Sequence, residues 1–204
     1  MESINQKVWH LMRADPAITR DLQRKLINSR ALAKYLLAHY TLDTSLDSVI
    51  SSIRRFPMAD YEEEKKVLHR VFHDSVVSTS NNMACVTIQQ NPSDVLAKIN
   101  GLSLSGLRFV TGNEKIKIII KNTLAPKITA LFKKCQVEEH LSEISVTVGE
   151  EALVTKGVMA TIASEISLAN INIKELLVCP PQFFIYVDEK DIVKAHERVL
   201  SLTE

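Results

Sequence analysis

The chain has 204 residues, of which 46% are hydrophobic and 24% charged, so it is able to bury a core and is not disordered. Five Gly, six Pro and 5% aromatic residues argue against a loop-rich β-sandwich, and three Cys without a CxxC pair argue against a disulfide framework or zinc ribbon. No signal peptide and no apolar run of membrane-spanning length is visible. We therefore expect a cytoplasmic protein with no membrane partner.

The net charge of +1 is unevenly distributed along the chain. Residues 1–56 carry more Lys and Arg than Asp and Glu, whereas the remainder carries more acids than bases. A basic N-terminal segment on a mildly acidic body is a modest indication of nucleic-acid binding. Ordinary scatter of surface charge is the alternative explanation.

The pattern of residues 1–56 predicts four short helices that form one small domain. Ser3, Asn28 and either Thr44 or Ser45 are suitable N-cap residues for three of the helices. Asp15 and Pro16 end the first helix, because the residue before a proline avoids the helical region.

The third and fourth helices, at 29–36 and 45–56, resemble a helix-turn-helix. Its second helix would enter the major groove of double-stranded DNA with hydroxyls and arginines outward. The connection between the two helices is longer than a tight helix-turn-helix allows, so a helical bundle used for dimerisation is the alternative. The predicted DNA-contacting residues are Ser48, Ser51 and Ser52, for phosphates or base edges, and Arg54 and Arg55, for phosphates.

Residues 57–74 read as a charged connector helix with a thin apolar seam. His69 and His73 have the i, i+4 spacing that is able to hold a metal ion. Because no third ligand lies nearby in the sequence, we predict no metal site and no cofactor.

From residue 75 the elements follow the order strand, helix, strand, strand, helix, and this order occurs twice, over 75–139 and 140–204. The predicted fold class is α+β, with the helical domain followed by two ferredoxin-like βαββαβ units. Segments 104–111 and 171–178 are predicted strands, and 122–135 is a predicted helix. The second unit runs out of chain before its last strand, which residues 76–79 or another segment must supply, unless it is absent.

The segment G157-V-M-A-T-I-A-S-E-I-S-L-A-N-I-N-I173, followed by 184–200, resembles an ACT domain and is most similar to the regulatory half of aspartate kinases. The first unit matches by element order only. The whole chain resembles archaeal aspartokinase-like regulatory proteins with a helical N-terminal domain and tandem ACT domains. A K-F-G-G-T-S-like kinase segment does not occur in the sequence.

The resemblance implies amino-acid sensing. The ligand carboxylate would meet the backbone N–H groups at the start of a helix, near Gly157, Val158 and Met159. Asn170, Ile171 and Asn172 would bind the amino group or hold the strand opposite. The alternative is that Gly157 is a simple helix start and that the asparagines form a turn and an edge.

No catalytic constellation is recognisable, so we predict a non-catalytic regulator. The principal reading is a transcription regulator that senses an amino acid. The alternatives are a free-standing regulatory subunit that docks on a biosynthetic enzyme, and an assembly module without a ligand. Segments 116–120 and 183–187 look like apolar sheet edges, which predicts a homodimer or higher oligomer whose pairing creates the ligand site between units.

Overall fold

A computed structural model of the chain describes residues 3–57, 61–100 and 106–204. Its contacts divide the chain into two compact units, Met1–Val67 and Leu68–Glu204, which we call the N-terminal unit and the C-terminal unit. The first is helical, whereas the second contains a six-stranded sheet and helices. The predicted α+β class is therefore confirmed.

Within the described residues 3–57, the N-terminal unit contains four helices: α1 (Ile4–Ala14), α2 (Pro16–Gln23), α3 (Ser29–His39) and α4 (Leu46–Arg54). Each begins after a side chain that accepts a hydrogen bond from a backbone N–H of the first turn, namely Ser3, Asp15, Asn28 and Ser45. The predicted caps are confirmed, and Asp15 both ends α1 and caps α2. The unit buries one apolar cluster, which is formed by Val8, Met12, Ile18, Leu32, Ala33, Leu36, Val49, Ile53 and Phe56.

Helix α5 (Tyr61–His73) occupies most of the predicted connector, of which residues 58–60 lie outside the described part of the chain. The C-terminal half of α5 also contributes to a hydrophobic core. Val71 and Phe72 are 4% and 2% exposed and belong to a core cluster of the C-terminal unit.

The C-terminal unit contains one antiparallel sheet with the strand order β2-β3-β1-β4-β6-β5. The strands are β1 (Val76–Ile88), β2 (Arg108–Thr111), β3 (Ile116–Lys121), β4 (Cys135–Thr147), β5 (Glu175–Cys179) and β6 (Gln182–Asp188). The helices are α6 (Pro92–Ile99), α7 (Ala125–Thr129), α8 (Val158–Leu168) and α9 (Ile192–Leu200).

Strands β1 and β4 pair with each other along their whole length and take part in two lobes. The first lobe, residues 83–138, has the strand order β4-β1-β3-β2, and the second lobe, residues 76–80 and 141–204, has the order β1-β4-β6-β5. Each lobe therefore has the strand order of a ferredoxin-like unit. Residues 76–80 supply the last strand of the second lobe, which is one of the alternatives that the sequence left open.

The helices cover one face of the sheet. In the first lobe Val95, Ile99 and Ile128 pack on inward residues of β1 and β3, and in the second lobe α8 and α9 pack on β4 and β6. The opposite, helix-free face carries a separate buried cluster of Met83, Cys85, Ile119, Leu141, Phe184 and Tyr186. The sheet is curled over this cluster, because Arg108 on the outer strand β2 contacts Phe184 on β6.

Three predicted elements differ from the structure. Strand β2 begins at Arg108, and residues 104 and 105 lie outside the described residues. The predicted helix 122–135 is wrong: α7 ends at Thr129, and Cys135 begins β4, because the first lobe needs a fourth strand there. The strand predicted from residue 171 begins at Glu175.

The edge argument for a homodimer is also wrong. Residues 116–120 and 183–187 lie in β3 and β6, which have a hydrogen-bonded neighbour on each side. The outer strands are the short β2 and β5. The homodimer itself remains a prediction.

Candidate functional site

The start of α8 at Gly157 is the predicted ligand site, and its backbone donors have no side-chain cap in the described part of the chain. Gly157 adopts φ +90° and ψ −7°, and its carbonyl accepts the first helical hydrogen bond from the N–H of Thr161 at 2.8 Å. The N–H groups of Val158 and Met159 precede that bond. They stand at the positive end of the helix dipole, where a carboxylate is stabilised.

Backbone conformation, and not lack of space, explains the glycine at 157. A Cβ there would lie 3.8 Å from Leu68 Cδ1, which is an ordinary contact. The left-handed φ is unfavourable for a residue with a Cβ. The geometry of this helix start therefore depends on Gly157.

Exposed apolar side chains flank the open amides along the chain. Leu153 and Val154 are 53% and 84% exposed in the preceding segment, and Met159 is 47% exposed in the first turn of α8. Val158 is 3% exposed and anchors the helix in the core. The helix start thus combines backbone donors with an apolar rim.

The predicted residues 170–172 lie at the other end of α8, where Asn170 and Ile171 have a structural role. Asn170 adopts φ 59°, its N–H donates to Ser167 O at 2.8 Å, and the N–H of Ile171 donates to Ile166 O at 3.3 Å. This is a Schellman motif with Asn in the position that favours a left-handed residue. Ile171 is 6% exposed and packs in the core, whereas Asn172 is exposed.

Gly157 and Asn170 do not form one site within a single chain. The 11 residues of α8 separate them, which corresponds to about 16 Å of helix. A ligand held by both ends of α8 would have to contact α8 helices from two copies of the chain.

The corresponding helix start in the first lobe is closed. The Asn91 side chain accepts a hydrogen bond from Ser93 N–H at 2.9 Å, and Pro92 has no N–H to offer. A polar groove of about 920 Å³ lies beside it, lined by Gln89, Gln90, Asn91, Asn113, Glu114 and Lys115.

The helix-free face holds a buried polar network that sequence reasoning missed. Tyr186 O–H donates to Glu143 Oε2 at 2.5 Å, and Arg108 Nη2 donates to Glu143 Oε1 at 3.0 Å. The Arg108 guanidinium also lies 3.8 Å from the centroid of the Phe184 ring. Burial, followed by the hydrogen bond to Glu143, raises the pKa of the Tyr186 phenol above its usual value.

A second bridge joins the lobes nearby. Lys117 Nζ donates to Glu175 Oε1, and this bond raises the pKa of the lysine. Cys85 is 2% exposed, and burial, with a smaller contribution from Glu175, raises the pKa of its thiol to about 11. In the sequence, the only sign of these bridges is the presence of a charged side chain within otherwise apolar strands.

The predicted DNA-contacting residues do not share one surface. Ser51, Arg54 and Arg55 are exposed and Ser48 is half-buried, but Ser52 is fully buried. Its hydroxyl lies 2.6 Å from Asn5 Oδ1 on α1, and its carbonyl accepts a hydrogen bond from Trp9 Nε1 at 2.8 Å. Ser52 therefore joins α4 to α1 and has no free hydroxyl for a phosphate.

A basic cluster remains at the C-terminal end of α4. Arg54 and Arg55 are exposed there and have no ion pair among the described residues. The Arg13 guanidinium lies 5.6 Å from the centroid of the ring of Phe56, the residue that follows Arg55. Arg54 and Arg55 also complement the negative end of the α4 dipole.

Metal and membrane features are absent from the described residues. His69 and His73 have ring centroids 5.8 Å apart, but in residues 3–57, 61–100 and 106–204 no group of three His, Cys, Asp or Glu side chains is arranged to hold an ion. Within those ranges, no helix is both long enough and apolar enough to span a bilayer.

No protein-family model and no curated protein sequence matches this chain. Solved structures share its fold. The ligand-free regulatory subunit of aspartate kinase from Thermus thermophilus matches with a TM-score of 0.57 and 11% identity, over 65% of this chain and 99% of the subunit. This shows that the described fold includes that of an aspartate kinase regulatory subunit.

Two further structures extend the comparison. Aspartate kinase from Clostridium acetobutylicum matches with a TM-score of 0.56 and 14% identity over 63% of this chain, which spans only 34% of that enzyme. A Vibrio cholerae protein of unknown function, described as a possible transport protein, matches with a TM-score of 0.51 and 15% identity over 68% of this chain and 98% of its own. At such low sequence identities, the similarity to these three structures shows a shared fold and nothing beyond it.

Proposed function

We propose that the protein is a non-catalytic regulator that responds to an amino acid through its C-terminal unit. The observation that carries the proposal is the fold shared with a complete regulatory subunit of aspartate kinase, matched over 99% of that subunit. The uncapped helix start at Gly157 supports it, because it offers backbone donors to a carboxylate.

The exposed rim of Leu153, Val154 and Met159 favours a ligand with an apolar side chain. Glu150 and Glu151 in the preceding turn disfavour an acidic one. The α-amino group would require a second copy of the chain, whose Asn170 and Asn172 would approach the helix start, so the proposal includes a homodimer.

A thermal-shift screen of the twenty amino acids tests the proposal. A ligand that binds only the folded state raises the melting temperature by an amount that grows with its concentration. We expect an aliphatic amino acid to give the largest shift, and calorimetric titration should show binding that Gly157→Val removes. If none of the twenty shifts the transition at millimolar concentration, amino-acid sensing is excluded.

For the N-terminal unit we propose binding to double-stranded DNA, which would make the protein a transcription regulator. The exposed Arg54 and Arg55 at the C-terminal end of α4 support this, and Arg13 is exposed as well. Arg54→Ala and Arg55→Ala should each lower the salt dependence of binding by about one unit per lost phosphate contact. Lys34→Ala, an exposed cation on α3, is the matched control and should leave the slope unchanged.

The alternative is a free-standing regulatory subunit that docks on an amino-acid biosynthetic enzyme. It is favoured because the Thermus thermophilus neighbour is itself described as a regulatory subunit of aspartate kinase. Affinity purification from the native cells distinguishes the two. The regulatory-subunit proposal would be favoured if a biosynthetic enzyme is recovered with the protein even after nuclease treatment, and if the protein itself is not retained on DNA.

A further inference from the structure

The backbone passes from one lobe to the other twice, in β1 and in β4, and both crossings are irregular. The register of the β1–β4 pair shifts between Ser80 and Met83 and again between Met83 and Cys85, which places one extra residue in each strand. Asn82 and His140 stand at these points with φ 60° and 59°. Such bulges bend a strand and interrupt its hydrogen bonds locally.

Two residues of opposite charge that join the lobes, Arg108 and Glu175, occupy equivalent positions, one in each lobe. In the first lobe the facing residues across β1, β3 and β2 are Cys85, Ile119 and Arg108. In the second lobe the corresponding residues across β4, β6 and β5 are Glu143, Tyr186 and Glu175. Arg108 and Glu175 are therefore structural counterparts, and each reaches across the helix-free face to the other lobe.

Both bridges are largely protected from solvent. The side chains of Arg108 and Glu143 are 23% and 7% exposed, and those of Lys117 and Glu175 are 33% and 15% exposed. Ion pairs in this environment are weakly screened, and removing one partner leaves the other charge uncompensated. The two bridges thus favour the arrangement in which the lobes cover the apolar cluster between them.

We propose that the C-terminal unit is a hinged device in which the two lobes turn about the paired bulges at Asn82 and His140, and that Arg108 and Glu175 hold the helix-free face closed. Opening separates Arg108 from Glu143 and Phe184 and gives solvent access to Cys85. Any ligand or partner that binds one lobe arrangement better than the other shifts the balance between them.

Cys85 is a natural reporter of this opening. Cys135→Ser and Cys179→Ser remove the other two thiols, which are half-buried and exposed, and leave a protein whose labelling by a thiol reagent reports access to Cys85. The test breaks the Arg108–Glu143 bridge and not the Lys117–Glu175 bridge. Glu175 and Lys117 also affect the pKa of the Cys85 thiol, so replacing either of them would change the reactivity of the thiol as well as its access to solvent. In this background Arg108→Ala should raise the labelling rate by about tenfold or more.

A matched control lies on the helix-covered face of the second lobe. Arg198 Nη2 pairs with Glu165 Oε2 at 3.1 Å between α9 and α8, so Arg198→Ala also breaks an ion pair but does not separate the lobes. It should change the labelling rate by less than about twofold. Arg108→Lys keeps the charge but loses the planar stacking on Phe184, and it should give an intermediate rate.

The urea dependence of labelling separates hinge opening from global unfolding. Hinge opening exposes little surface, so labelling of the Arg108→Ala protein should depend only weakly on urea well below the unfolding midpoint. The proposal is overturned if Arg108→Ala and Arg198→Ala raise the rate equally, or if the increase matches the loss of global stability. If Arg108→Ala does not fold, an unchanged rate in Arg108→Lys is the contradicting result.

Discussion

The two lobes of the C-terminal unit share a strand order but differ at the start of their first helix. In the first lobe Asn91 caps α6 with its side chain, and Pro92 removes a donor. In the second lobe Gly157 begins α8 in a left-handed conformation without a side-chain cap. The same architecture therefore keeps its first amides satisfied in one lobe and leaves them available in the other.

The difference indicates which lobe is equipped to bind a carboxylate. Backbone donors at a helix start bind an anion only if no side chain of the protein already occupies them. Only the start of α8 meets this condition among these two.

Gly157→Val should have the largest effect, because it removes the amino-acid response and destabilises the fold. From sequence alone a helical φ at this position would make the substitution mild, but the observed φ of +90° makes a β-branched residue strained. We expect a loss of about 1–3 kcal/mol, measured by urea unfolding.

Gly157→Asn is the control for that prediction, because Asn tolerates the left-handed region better than Val. It should recover most of the stability. Equal stability of Gly157→Val and wild type would contradict the backbone argument, and an unchanged amino-acid affinity in Gly157→Val would move the ligand site away from α8.

Tyr186→Phe should cost about 1–3 kcal/mol, because Glu143 loses a buried donor. The raised pKa of Tyr186 also makes the native state hold a proton that the unfolded chain releases above its usual value of 10.0. This contribution to stability is therefore present below about pH 10 and is lost as the pH rises further.

Ile119 in the first lobe is the counterpart of Tyr186, and a substitution there is the control. Ile119→Val, at the equivalent position, should cost only about 0.5–1.5 kcal/mol and leave the pH dependence unchanged. Thermal unfolding of wild type and both variants between pH 8 and 11 checks this. A wild-type and a Tyr186→Phe protein with parallel pH profiles would show that the phenol does not titrate on unfolding.

The sequence predicts local features of the helices and strands better than it predicts which strands pair and which distant side chains meet. The caps Ser3, Asn28 and Ser45 are local hydrogen bonds, so the sequence contains all the information needed to find them. The turn at Asn170, which the sequence left open as an alternative to ligand binding, is equally local, because an Asn after the last turn of a helix is a signal for a Schellman motif.

The helix-free face was out of reach of sequence reasoning for a different reason. Glu143 and Tyr186 face each other on the neighbouring strands β4 and β6, and Arg108 reaches them from the outer strand β2 only because the sheet curls. The repeated element order did predict two similar units, and it left open whether residues 76–79 supply the last strand of the second. The shared strands β1 and β4 depend on pairing between distant segments, and one-dimensional periodicity does not encode such pairing.

Asn91→Ala tests the closed helix start of the first lobe. Loss of the N-cap should cost about 1 kcal/mol, because the Ser93 N–H loses its acceptor. The amino-acid affinity should stay at the wild-type value, since this site is not expected to hold the ligand. A gain of amino-acid binding in Asn91→Ala would show that the side chain alone kept the first lobe from binding.

Asn172→Ala should have the smallest effect on the isolated chain. Asn172 is exposed, and no side-chain hydrogen bond joins it to another described residue, so the stability should change by about 0.5 kcal/mol or less. If a second copy supplies this side chain to the ligand, the amino-acid affinity should nevertheless fall by about tenfold. Calorimetric titration combined with light scattering checks this, because affinity should fall while the dimer persists. Unchanged affinity in a persistent dimer would confine ligand recognition to the helix start at Gly157.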